Sequence, residues 1–130
     1  MNILIGYDGS KVAQDCLALA GQYAKAFGGA VFIVRSLAQG PALDKDDIES
    51  AEDRLESLQR SFQKDGIECQ AQVIVSYHTP GEDLVAFAKE NDIEQIIIGI
   101  RRRSKVGKLV FGSTAQYVIL EAPCPVLTVK

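Results

Sequence analysis

A chain of 130 residues with 47% hydrophobic side chains is long enough to pack a core and too apolar to be disordered, so a single domain over residues 1–130 is expected. The net charge of −3 is unevenly placed. Arg101, Arg102, Arg103, Lys105 and Lys108 fall within eight residues that hold no carboxylate, which leaves the rest of the chain distinctly acidic and argues against a general DNA or RNA binder.

The cations must then act locally, on a small anion. The start, Met1-Asn-Ile-Leu-Ile5, has no basic n-region and runs into a glycine turn, so it reads as a strand and not as a signal peptide. No apolar run approaches the length of a membrane span. Cys16, Cys69 and Cys124 are odd in number and widely separated, without zinc spacing. Reduced, buried thiols in a cytoplasmic protein are expected.

In chain order, residues 2–7 are a short apolar strand that ends in the turn Asp8-Gly9-Ser10. Ala13, Cys16, Leu17, Ala20, Ala24 and Phe27 recur at helical spacing through residues 11–28, and Gly28-Gly29 stops that helix. Ala30–Val34 is a second strand ending near Arg35-Ser36. Residues 44–65 carry Ile48, Ala51, Leu55, Leu58 and Phe62 on one helical face, with an acidic, solvated opposite face. Residues 67–75 alternate as a strand with one half-exposed face.

Thr79-Pro80-Gly81-Glu82 has the form of a capping box with proline at the first helical position, and Leu84, Phe87 and Ala88 give the helix that follows its buried side. Residues 94–98 are a fourth strand. A short helix over 113–121, with Ala115, Val118 and Ile119 inward, precedes a fifth strand, Val126–Val129. The alternation of strand and helix implies an α/β fold with a parallel sheet and helices on both faces.

Ligands of such sheets bind beyond the carboxyl ends of the strands. Two unusual loops fall there: Asp8-Gly9-Ser10, and residues 99–112. Asp8 either accepts hydrogen bonds from a ribose or adenine, or holds Mg2+, or fixes the turn. Gly99 either lets a ligand approach the backbone or serves the turn. Tyr7 and Tyr77 line a pocket or pack. Ser113 with Gln116 spells a capping box, while the amides of Ser113 and Thr114 open toward an anion. Arg101, Arg102 and Arg103 form a phosphate clamp, a nucleic-acid patch or a solvated loop. His78 reads as structural. No Walker A lysine-serine pair, no GxGxxG and no paired aspartates of a phosphoacceptor domain are present.

From Ile3-Leu-Ile-Gly-Tyr-Asp-Gly-Ser10 to the closing Ala122-Pro-Cys-Pro-Val-Leu-Thr-Val129, the chain resembles the universal stress protein family. The resemblance implies a five-stranded parallel sheet in the order 3-2-1-4-5, binding of ATP (or AMP or ADP) with or without Mg2+, and a homodimer joined through the last strand. The family's nucleotide motif, Gly-x2-Gly-x9-Gly-Ser/Thr, reads here as Gly99-x2-Arg102-x9-Gly112-Ser113, with arginine at the second glycine.

Carried over, Asp8 is the adenosine-side acid, and Ser36 lies where the family packs or hydrogen-bonds the adenine and ribose. Ile98 and Gly99 form the floor, and Gly112, Ser113 and Thr114 donate to phosphate. Arg102 either obstructs the phosphates or supplies charge to them. No general base is identifiable, so binding with at most very slow ATP hydrolysis is expected. The rival reading is an interaction protein without nucleotide whose basic loop docks an acidic partner. The signatures of related nucleotidyl-transferring enzymes are missing.

Overall fold

The computed structural model describes residues 1–100 and 111–130. Its elements in chain order are β1 (Ile3–Gly6), α1 (Lys11–Phe27), β2 (Ala30–Ala38), α2 (Lys45–Lys64), β3 (Glu68–Ser76), α3 (Pro80–Glu90), β4 (Gln95–Gly99), α4 (Ser113–Glu121) and β5 (Val126–Val129). The five strands form one parallel sheet in the order β3-β2-β1-β4-β5, as the family resemblance implies. β1 and β4 are therefore neighbours, with Ile5 opposite Ile97, and their two C-terminal loops leave the sheet side by side.

Strand parity divides the core in two. Ile3 and Ile5 of β1 and Tyr7 just beyond it, with Val31 and Ile33 of β2, face Cys16, Leu17 and Ala20 of α1 and Leu55 and Phe62 of α2. Leu4, Phe32 and Val34 face the other way, against Leu84, Phe87 and Ala88 of α3 and Ala115 and Val118 of α4. Ile3, Leu4, Ile5, Ile96 and Ile97 are completely buried, and each such side chain contributes roughly 1.5–3 kcal/mol of transfer free energy. Burial on both faces is why the central strands read as unbroken apolar runs instead of alternating ones.

Three boundaries or orientations differ from the sequence reading. β2 runs on to Ala38, because its ladder with β3 continues from Ala30 opposite Glu68 to Ala38 opposite Ser76, past the end of the apolar run. The helix that opens near Ser113 is capped by Gly112 with no side-chain hydrogen bond, so Ser113 is its first helical residue and the expected Ser113–Gln116 box does not form. Gln116 instead reaches back to the Phe111 carbonyl at 3.5 Å. Ile119 is 43% exposed, because Ala115 and Val118 already fill the face that meets α3. Among the described residues no helix is long and apolar enough to cross a membrane. The thiols of Cys16 and Cys69 are buried, and that of Cys124 is half-buried.

Candidate functional site

At the C-terminal lip of the sheet, Gly6, Tyr7, Asp8, Val34, Ser36, Ile98, Gly99 and Thr114 come together around a cavity of about 160 Å3. Its rim is completed by Ser10, Val12 and Ala13 at the start of α1 and by Pro80 at the start of α3. Three helices thus direct their N-terminal ends at one cavity, as the parallel strand–helix alternation requires. The first turns of α1 and α4 carry no acidic residue, while that of α3 carries Glu82 and Asp83. A second cleft of about 480 Å3 opens beside it and shares Asp8, Ser10, Val12 and Gly99, with Lys11, Asp15, Ile100 and Lys130 on its far side.

Each candidate residue has a definite local role. Asp8 is exposed, and its Oδ1 accepts the Ser10 amide at 2.9 Å, closing a turn that Gly9 completes with φ of 79°. Ser10 in turn accepts the Ala13 amide at 3.2 Å and so caps α1. The turn-fixing role weighed for Asp8 is thus present, and it leaves Oδ2 without a partner among the described residues. Ile98 is buried beneath the cavity. Gly99 admits no side chain: a Cβ there would stand 2.4 Å from Val12 Cγ1. Packing of α1 on the end of β4 demands the glycine, whatever else approaches it.

Ser36 is not a free hydroxyl. It donates to Asp83 Oδ2 at 2.6 Å, and Ser76 Oγ lies 2.8 Å from the same oxygen and 3.0 Å from Oδ1. Asp83 is the buried carboxylate of the described core, 7% exposed, held by one serine from each of two adjacent strands. Sequence reading missed it. The signal was present: position 83 precedes Phe87 by four, which places it on the inward stripe of α3 beside Leu84.

Tyr7 both borders the cavity and packs in the core, the two roles its sequence left open. Its ring packs in the layer under α1 and α2, and its hydroxyl meets Gln14 Nε2 at 3.1 Å and Arg54 Nε at 3.3 Å. The reason is parity: Tyr7 follows Ile3 and Ile5 on one face of β1, while Gly6 and Asp8 belong to the other. Gly112 opens α4 without a side-chain cap, so the amides of its first turn meet no side-chain acceptor among the described residues. Of that turn, Thr114 reaches the cavity lining, whereas Gly112 and Ser113 stand outside it. Arg101, Arg102 and Arg103 lie outside the described residues. His78 is exposed, its amide donating to Ser76 Oγ at 3.1 Å, and Tyr77 is exposed beside it.

Among the described residues no group of three metal-ligating side chains exists. The Cys16 thiol is pushed up to about 11, first by burial and then by the Asp15 and Asp8 carboxylates, and burial pushes the Cys69 thiol up to about 11 as well. Neither is an activated nucleophile at neutral pH.

The model of the universal stress protein family matches residues 1–130. A universal stress protein of Mycolicibacterium smegmatis is 51% identical over 49 residues, a stretch that covers 38% of either chain. A Thermus aquaticus protein described as the universal stress protein in the QAH/OAS sulfhydrylase 3' region is 30% identical over 134 aligned residues, covering 98% of this chain and 97% of its own. The solved structure of the universal stress protein from Archaeoglobus fulgidus in complex with dAMP is 34% identical and superposes with a TM-score of 0.82, covering 100% of this chain and 98% of that one. A family match from the first residue to the last, together with the five-stranded order 3-2-1-4-5, leaves one assignment: the chain belongs to the universal stress protein family.

Proposed function

We propose that the chain is a cytoplasmic stress-response protein that binds an adenine nucleotide (ATP, ADP or AMP) at the lip of the sheet and turns it over very slowly or not at all. The observation that carries this reading is the cavity in which Asp8, from the β1–α1 turn, and Thr114, from the first turn of α4, face the same space. Asp8 Oδ2 suits a ribose hydroxyl, and Ile98 with Gly99 forms a floor. The open amides of the first turn of α4, from Ser113 onward, suit phosphate, since a helix N-terminus without a side-chain cap offers both donors and a positive dipole end. At about 160 Å3 the cavity is smaller than the roughly 300–1,000 Å3 of most ligand sites, so a nucleotide extends from it past Thr114.

A relative 34% identical is solved in complex with dAMP, which supports an adenine-bearing ligand here. Because Ser36 already serves Asp83, it packs against the ligand as a wall instead of competing for the ribose. Mg2+ enters this reading only as the companion of ATP's phosphates, given a lone carboxylate at the cavity. In this reading Arg101, Arg102 and Arg103 add charge to the phosphate end.

Calorimetric titration with ATP, with and without Mg2+, tests it. The expected affinity is micromolar, about −8 kcal/mol, weakened by Asp8→Ala and by Arg102→Gly. No heat at millimolar ATP overturns the reading, and tighter binding by Arg102→Gly marks that arginine as an obstruction. The five clustered cations favour a second reading, an adaptor that docks an acidic partner. Such binding would survive Asp8→Ala and fall steeply with salt.

A further inference from the structure

On the opposite face of the sheet, a cavity of about 480 Å3 lies between the end of β2, residues 42–43 and α2. Parity sends Arg35 to this face while its neighbour Ser36 turns to the other. Arg35 and Arg54 line the cavity together, with Leu37, Leu43 and Ala51 as apolar wall. The guanidinium of Arg35 lies against the β1–α1 turn, its Nη1 only 3.0 Å from where a Cβ would stand on Gly9. Its Nε is shut off from solvent and has no hydrogen-bond partner among the described residues. An unmet buried donor on a charged group is costly, so such a site is poised for an acceptor.

Among the described residues no acceptor meets the Arg35 Nε. Every Asp and Glu lies among the described residues, and α2 and its approach alone hold seven carboxylates between 44 and 56. Yet the ion pair found among the described residues is Arg60 with Glu56, and neither Arg35 nor Arg54 has one. Asp47 lines the same cavity, but its Oδ2 accepts the Asp44 amide at 3.3 Å in the capping box of α2. The third donor is Tyr7. Its hydroxyl oxygen accepts from Gln14 Nε2 and Arg54 Nε, which occupies its lone pairs and leaves its own hydrogen to give.

Two guanidinium groups and a phenolic O–H around an apolar-walled cavity match one ligand class. The geometry points to a second binding site, for a small organic anion whose carboxylate or phosphate head lies between Arg35 and Arg54 and whose short apolar body lies against Leu37, Leu43 and Ala51. The site stands apart from the nucleotide reading, since Arg35 and Ser36 turn to opposite faces of β2, although Tyr7 borders both cavities.

Titrating the purified chain with butyl phosphate, valerate, inorganic phosphate and acetate, by calorimetry and thermal shift, tests the site. Saturable millimolar or tighter binding is expected for butyl phosphate or valerate, stronger than for inorganic phosphate or acetate. Which of the first two binds reports whether the natural head group is phosphate or carboxylate. Arg54→Gln, at an exposed helix position that leaves folding intact, is expected to weaken binding about tenfold, and Arg35→Gln at least as much. Ser36→Ala, on the other face of β2, should leave it unchanged even if ATP never binds. The site is refuted if neither four- nor five-carbon probe binds saturably, or if both arginine variants bind as the parent does.

Discussion

Gly99 shows how one residue serves packing before it serves a ligand. Its missing Cβ is the space that Val12 occupies, at 2.4 Å from Cγ1 and 3.2 Å from Cγ2. Gly99→Ala is therefore expected to cost about 1–3 kcal/mol by overpacking, and Val12→Ala in the same chain to recover most of it. Urea denaturation of the four members of that cycle checks this; strictly additive penalties would show that the Val12 contact is not the cause. The candidate site was legible where the fold alone dictates position: Asp8, Gly99 and Thr114 follow from the rule that ligands gather at strand C-termini, and Ser36 from the family resemblance. It was not legible where side-chain direction decides. Tyr7 sits one residue before Asp8 in sequence but points through the sheet, and only knowledge of which helices cover which face reveals that. Asp83 was hidden inside a stretch whose capping signal gave its residues a sufficient local explanation.

The helix starts differ in a way that sorts structure from function. α3 begins with a complete capping box: Thr79 Oγ1 accepts the Glu82 amide at 3.2 Å, and Glu82 Oε1 accepts the Thr79 amide at 3.0 Å. That last hydrogen bond, with the Thr79 hydroxyl next, holds the Glu82 carboxyl below its ordinary 4.5. A carboxyl lowered in the folded state stabilises fully above its unfolded value and loses that contribution as pH falls through the lower folded value. The parent chain is thus expected to be more stable than Glu82→Ala at pH 7 and to lose this advantage toward pH 3, by urea midpoints at both. An unchanged gap would remove the carboxylate from the account. Thr79→Ala should cost about 1 kcal/mol at neutral pH. α4, by contrast, begins at Gly112 with no side-chain cap, an arrangement that leaves its amides to something else. Sequence found both helices because apolar spacing and Thr-Pro-Gly-Glu are local signals. It read α4 as Ser113-capped because Ser-x-x-Gln fits the box equally well on paper, and only backbone geometry shows the helix starting one residue earlier. β2 was read short for a related reason: its last residues are held by pairing with β3, a long-range contact without apolar pattern.

At the scale of the whole molecule, the sheet ends in two outer strands, β3 and β5. β5 is an outer strand of only four residues, with Val126, Leu127 and Val129 half-buried and no strand among the described residues paired to its far side. The carbonyls of Pro125 and Val129 accept from Ile96 and Ile100 at 3.0 and 2.8 Å, so residues 125, 127 and 129 turn their backbone toward β4. The amides of Val126 and Thr128 consequently face outward, where an open edge invites another strand. The exposed Tyr117, Ile119 and Leu120 lie on α4, the element that leads into this strand. Pairing of β5 with β5 of a second copy would satisfy those amides in a closed two-fold arrangement. We therefore expect a dimer of about twice 14.1 kDa by light scattering at micromolar concentration. Thr128→Pro deletes an outward donor and spares the ladder to β4, so it should yield a monomer with unchanged circular dichroism. A monomeric parent chain, or a dimer indifferent to that proline, would move the interface elsewhere. If the dimer forms as expected, the lip cavity stays open, because its walls come from β1, β2, β4 and the helix starts and not from the outer edge of β5.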